Sequence, residues 1–334
     1  MLTSRAGKLA GLLCALVLVL AGFAGSLALG TFHTAPAVVI DALVAFDPAS
    51  TSHLIITAER LPRAVLAMLV GASLAVSGAL MQSLTRNPLA SPGILGINAG
   101  AMLFVVVSAA LLQTSAPQTL VWAAFLGAAV AAALVYALGR QPGSGISPLR
   151  TVLAGVAVTA LFVSFAQGLL VINQERFGSL LFWLAGSVSG RDLETVRSLL
   201  PLFLTALLLC LLLTRQLNIL GLDDELVRAL GQRTGLVRLG VGVIVILLAG
   251  ASVALAGMIG FIGLIVPHLA RGLFGRDHRW LLPACALLGA ALLLLADTAA
   301  RLIIPPQEIP VGVMTALLGT PLFLFLASRQ KHAL

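Results

Sequence analysis

A stretch of 53 residues, 87–139, carries no charged side chain, and this run constrains the fold more than any other feature of the chain. A transmembrane helix needs about 20 apolar residues, so the run has room for two helices with a turn near Gln113–Gln118. Seven more charge-free intervals follow the same logic: 9–40, 64–85, 151–174, 198–214, 239–270, 280–296 and 309–328. Of the 334 residues, 60% are hydrophobic and 10% charged, whereas soluble domains average about 45–50% and about 25%. A soluble enzyme of this composition could not cover its surface with polar groups, and a disordered chain needs low hydrophobicity. The apolar runs are continuous and rich in Leu, Ala and Gly, unlike the ~10-residue alternating segments of a β-barrel. An all-α polytopic membrane protein remains. No basic cluster with interleaved aromatics is present, which sets nucleic acid aside as a partner.

The interval 239–270 decides the number of crossings. It holds one helix to about Ala256, then a short segment from Ile259 to Pro267 that either crosses obliquely or re-enters. Counting that segment gives ten transmembrane helices, and omitting it gives nine. Cytoplasmic loops carry an excess of Lys and Arg. With ten crossings and a cytoplasmic N-terminus, 14 of the 20 Lys and Arg fall inside, leaving Arg60, Arg63, Arg176, Arg191, Arg197 and Arg301 outside. With nine crossings the division is even. Ten crossings with both termini cytoplasmic are therefore expected, in one transmembrane domain spanning 1–334. The run after Arg5 and Lys8 exceeds the about 7–15-residue core of a signal peptide, so the first span is expected to stay uncleaved.

Residues 71–78 read GASLAVSG and residues 250–257 read GASVALAG, with five of eight positions identical. Each precedes a break, and ten crossings run the two helices in opposite directions. Inverted-repeat halves and coincidence in an Ala/Gly-rich chain both fit. In either case small residues let helix backbones approach closely in lipid. The longest inner loop is 215–238. There Asp223 or Asp224 can cap a short helix that Gly231 ends, with Leu222, Leu226, Val227 and Leu230 on one face. Such a helix lies on lipid or docks in a groove of a cytoplasmic partner, and its acidic start favours the partner. Loops 82–93 and 140–150 are broken by Asn87-Pro88, Ser91-Pro92 and Pro148. They read as plain connectors or as an inner gate, because irregular backbone is tolerated where it lines a cavity.

Arg60 and Arg63 flank Pro62 at the start of the second span, and Arg301 lies at the outer end of the ninth. Outer arginines ask for a cause. They either snorkel and pair with acids such as Glu59 and Asp297, or present guanidinium forks to the carboxylates of an outside partner. Asp297 lies well inside an apolar stretch, which makes it a functional candidate, as the proton carrier of a secondary transporter. Arg301 at i+4 offers it a local ion pair instead. His268 reads as a helix-end residue. Cys14, Cys210 and Cys285 lie in apolar runs, and their spacing fits no metal site. No P-loop, HExxH or GxSxG motif occurs. No catalytic residue and no cofactor are expected, and if ATP drives this protein another chain binds it.

Several long strings carry a resemblance: RLPRAVLAMLVGASLAVSGALMQSLTRNPLASPGILGINAGA (60–101), PLRTVLAGVAV (148–158), FWLAGS (182–187), GMIGFIGLIVPHLAR (257–271), DHRW (277–280), and ADTAARL (296–302) with EIPVGVMTALLGTPLFLFL (308–326). Together they resemble the FecCD family of ABC-transporter permeases, importers of ferric siderophores, haem and cobalamin. The resemblance covers nearly the whole chain. It implies a type II ABC importer permease architecture, paired with a second copy or a similar permease. It also implies a cytoplasmic ATPase dimer and a periplasmic or lipid-anchored substrate-binding protein. Loop 217–236 corresponds to the family's coupling helices, and Arg60, Arg63 and Arg301 match arginines that meet glutamates of the binding protein. The inner gates map onto Asn87, Pro88 and Leu89 and onto Ser147, Pro148 and Leu149. Pro-Leu there replaces the hydroxyl-rich turn of the cobalamin permease, and the pattern is closest to ferric-siderophore permeases of the bacterial inner membrane.

Overall fold

The computed structural model describes the whole chain apart from residues 1, 3, 31–33, 112–115, 142–144, 147, 173–182, 223–225, 228–230 and 331–334. Helices form where the sequence keeps charge out, and they start where it supplies a cap. Ser4 accepts from the Gly7 N–H at the head of α1 (Arg5–Ala28), which satisfies an otherwise unpaired donor. Proline opens α2 (Pro36–Val44). The helix α3 (Thr51–Thr85) runs 35 residues through a π turn at Ile55–Arg60. After a 3-10 turn at Pro92–Leu95 come α4 (Ile97–Leu111), α5 (Pro117–Gly139) and α6 (Pro148–Ile172). A two-residue antiparallel ribbon, Arg140–Gln141 with Gly145–Ile146, joins α5 to α6. Then follow α7 (Leu193–Leu212), the short α8 (Thr214–Leu220), α9 (Thr234–Ala256), α10 (Ile262–Phe274), α11 (His278–Leu302) and α12 (Val311–Gln330). Among the described residues, seven helices are long and apolar enough to cross a membrane, and three shorter apolar ones lie at 97–111, 262–274 and 311–321.

The interval 9–40 is not one span. The chain turns extended at Leu29, and Pro36 starts a separate helix. The interval 239–270 divides as expected, at Ala256. The 13 residues of α10 rise about 20 Å, short of the about 30 Å hydrocarbon core, and the irregular segment 257–261 extends their reach. Gly257 begins that segment at φ +70, where a Cβ would strike the Trp183 carbonyl, so glycine is needed there.

The centre of the fold is α3, packed by α9, α10 and α11. In its most apolar window 83% of residues are buried, against 22% in α1 and in α6. Close backbone approach makes this possible. A Cβ on Gly71 would run into the Gly289 carbonyl of α11, and one on Gly78 into the Gly263 carbonyl of α10. Both eight-residue repeats are wholly buried. The C-terminal end of α3 and the N-terminal end of α9 line one cavity, so the repeats run in opposite directions.

Candidate functional site

At one end of the bundle, two arginines finish a helix that is not their own. The last carbonyls of α1 have no acceptor role left within the helix. Arg60 Nη1 donates to the carbonyls of Leu27 (2.7 Å) and Ala28 (3.1 Å) and to Thr34 Oγ1 (3.1 Å). Arg301 Nη1 donates to the carbonyls of Ser26 (3.2 Å) and Leu29 (3.1 Å), and its Nη2 donates to Ser26 Oγ (2.8 Å). Arg63 grips Asp297 through Nε (3.0 Å) and Nη2 (2.8 Å) and Glu308 through Nη1 (2.7 Å). Arg301 also pairs with Asp297, at 3.3 Å. Arg60 is 6%, Arg301 3% and Asp297 0% exposed. All three guanidinium groups are thus engaged within the chain rather than projecting from it. The i,i+4 pair anticipated for Asp297 is present. The stronger grip comes from Arg63, a contact with no signature in the sequence.

Beside this cluster three segments meet. The Ser187 N–H donates to the Ala256 carbonyl (2.8 Å), Arg191 Nε to the Leu255 carbonyl (2.9 Å), and the Gly312 N–H to the Gly186 carbonyl (3.1 Å). The end of α9, the described part of the FWLAGS segment and the start of α12 are pinned together. Burial lowers the pKa of Arg191 from its ordinary value, outweighing the attraction of Asp192.

The opposite end carries a polar network that sequence reasoning missed. Asn218 of α8 donates through Nδ2 to Asp277 Oδ1 (2.7 Å), and its Oδ1 accepts from the His278 N–H (2.9 Å). His278 Nδ1 lies 2.7 Å from Asn218 Oδ1, and its Nε2 lies 2.7 Å from Ser83 Oγ on α3. Arg271 Nη1 donates to Gln82 Oε1, and Gln82 Nε2 to the Gly263 carbonyl (3.3 Å). Burial works against the Asp277 charge. The Arg279 N–H, the Asn218 amide and the charges of Arg279 and Lys8 overcome it, leaving the carboxyl below its usual range. The available signal was a set of polar residues, Gln82, Ser83, Asn218 and His278, at the ends of apolar runs.

Arg86 joins this network to the longest loop. It ends α3 in the left-handed region, at φ +51, and its Nη2 donates to the carbonyls of Leu222 (2.9 Å) and Leu220 (3.3 Å). Within the loop the expected single face divides. Leu222 and Leu226 point outward, Leu226 at 53% exposed, whereas Val227 is 1% exposed and packs into its own chain. Gly231 adopts φ +66. Asp223, Asp224 and Leu230 lie outside the described residues, as does Ser147. Asn87 and Pro88 are exposed, and Asn87 Oδ1 accepts from the Leu89 N–H (2.9 Å), closing an Asx turn. Pro148 opens α6, and Leu149 is exposed. The turn at Pro92–Leu95, just after residues 87–89, packs closely on α6, where a Cβ on Gly155 would strike the Ile94 carbonyl. Among the described residues no group of three His, Cys, Asp or Glu side chains is placed to hold a metal ion.

The model of the FecCD transport family matches residues 16–329. The chain belongs to this family. A probable siderophore transport system permease protein of Bacillus subtilis (strain 168), YfiZ, is 48% identical over 318 residues, covering 95% of each chain. The hemin transport system permease protein HmuU of Yersinia pestis is 43% identical over 279 residues, covering 82% of this chain and 83% of its own. A solved inward-facing conformation of a metal-chelate type ABC transporter superposes with a TM-score of 0.83 at 31% identity, covering 96% of this chain and 99% of the other. The arginine cluster, the Asn218–His278–Ser83 network and residues 87–89 all fall within the FecCD match.

Proposed function

We propose that this chain is the permease subunit of an ABC importer that carries ferric siderophores across the bacterial inner membrane. The FecCD match carries the reading, and the relative named for siderophore transport supplies the substrate class. Haem is the second reading, favoured by the similarity to a hemin permease. The permease performs no covalent chemistry, and ATP hydrolysis belongs to two cytoplasmic subunits.

Loop 217–236 is proposed to seat in a groove of the ATPase dimer through Leu222 and Leu226. Val227 anchors the loop beneath, and Asp223, Asp224, Leu230 and Gly231 complete it. Arg86 ties the loop's base to Asn87, Pro88 and Leu89, so motion of the loop reaches the gate, with Ser147, Pro148 and Leu149 on the facing side. A loaded binding protein docks at the other end. Arg63 is the arginine suited to exchange, because Glu308, its partner there, is 30% exposed and a carboxylate of the binding protein can replace it. Arg60 and Arg301 hold the end of α1 firm beneath that contact. A second permease chain completes the path.

The test is uptake of radiolabelled iron from a ferric-siderophore panel, in cells with and without the gene. Gene-dependent uptake stopped by vanadate is expected. Gene-dependent uptake stopped only by an uncoupler would overturn the ABC assignment, and gene-dependent uptake of haem alone would overturn the siderophore.

A further inference from the structure

Helices α5 and α9 touch where Gly250 abuts Phe125 and Ala128, and a Cβ at Gly250 would lie 3.4 Å from either side chain. Toward the C-terminal end of α5 and the N-terminal end of α9 a cavity of about 480 Å³ lies between them, floored by α3 and the first turn of α6. Its walls are mostly apolar, Leu239 and Val243 among them, and its polar groups are Arg86, Arg238, Tyr136 and Thr151 with Thr85. Among the described residues no Asp or Glu lines it. Arg238 Nε is buried there without a hydrogen-bond partner, and a buried donor left unsatisfied calls for an acceptor. Leu239 and Val243 are also exposed on the outside of the bundle, so the crevice opens sideways, where acyl chains lie.

We propose that this crevice binds the phosphate headgroup of an anionic membrane lipid, with Arg238 donating to the phosphate and the chains lying along Leu239 and Val243. A guanidinium group is the side chain best matched to phosphate oxygens, and basic pockets between helices on the cytoplasmic side suit anionic headgroups. The proposal rests on the permease reading for the placement of these helices in a membrane, with this end at the cytoplasmic face. A free phosphate would satisfy the same donor but leave the apolar walls uncovered. Because Arg86 lines the crevice and holds Leu220 and Leu222, an occupied crevice also braces the long loop.

The full importer complex, purified in detergent, is analysed by native mass spectrometry for retained lipid. Its thermal unfolding is followed with added phosphatidylglycerol, phosphatidylcholine or inorganic phosphate. Phosphatidylglycerol should be retained and should raise the unfolding midpoint more than the other two. Arg238→Gln should cut its retention by about tenfold, the effect of one lost charge-assisted bond, while Arg276→Gln, at an exposed site outside the crevice, should not. Equal stabilisation by phosphatidylcholine or by inorganic phosphate would overturn the lipid assignment, as would unchanged retention in Arg238→Gln. Should that variant fail to assemble, Ala133→Phe narrows the crevice without altering charge, and undiminished retention there would overturn it equally. The readout is independent of what the importer carries, so failure here and failure of the siderophore reading are distinguishable.

Discussion

Asp297 is the residue where composition and structure pull hardest against each other, a carboxylate in an apolar run with no solvent contact. Arg63 and Arg301 between them engage both of its oxygens, and the same Arg301 closes the end of α1. That arrangement is a joint between α1, α3 and α11, not a group poised to move a proton. Asp297→Asn leaves two guanidinium groups short of their counter-charge in a buried site. Removing one member of a buried pair costs about 3–5 kcal/mol, to be read as a lowered unfolding midpoint in detergent. Glu308→Gln, at a partly exposed site, should cost less than about 1 kcal/mol. An Asp297→Asn chain as stable as the wild type but dead in uptake would make the carboxylate a moving part and revive the secondary-transporter reading. The i,i+4 spacing made half of this joint legible in the sequence, because local geometry fixes it. The Arg63 contact spans 234 positions, and no pattern within one helix encodes it.

At the scale of elements, the apolar runs located the spans but not their neighbours. In a membrane, lipid and a packed helix are equally apolar, so hydropathy could not tell that α3 is central and α1 peripheral. The spacing of small residues held that information. Gly78→Ala should push α3 from α10 through collision with a backbone carbonyl, which cannot swing aside as a side chain would. A loss at or above the about 1–3 kcal/mol of overpacking is expected in thermal unfolding. Gly272→Ala, with open space around it, should be neutral or slightly stabilising. Equal effects of the two would refute close packing at Gly78. The long loop permits a similar separation. Leu226→Asp alters an exposed side chain and should abolish co-purification of the ATPase while leaving the permease's unfolding midpoint in place. Val227→Asp buries a charge and should lower the midpoint as well. A Leu226→Asp permease that still binds its ATPase would remove the groove model. The single apolar face read from the sequence failed here because helical periodicity cannot say which leucines a chain keeps for itself.

For the whole molecule, the direction of α11 relative to α3 decides how the chain crosses the membrane. Arg63 near the start of α3 meets Asp297 near the end of α11, and Ser83 near the end of α3 meets His278 at the start of α11. The two helices are therefore antiparallel. Because α9 starts beside the end of α3 and so runs back toward its start, α11 can satisfy both contacts only if α10 and its irregular lead-in carry the chain back across. A crossing α10 is what the ten-crossing expectation requires, and that expectation is the one in which Lys and Arg concentrate on one side. A nine-crossing chain would hold Arg63 and Asp297 on opposite faces of the membrane. Single cysteines decide between them in a chain with Cys14, its one exposed thiol among the described residues, changed to serine. Ala49→Cys, in the exposed loop after α2, should react with an impermeant maleimide on intact spheroplasts. Arg276→Cys, exposed just before α11, should react only after permeabilisation, as should Gly231→Cys in the long loop. Labelling of Arg276→Cys from outside would force α10 to re-enter, and the Arg63–Asp297 joint could not then exist in the assembled membrane protein.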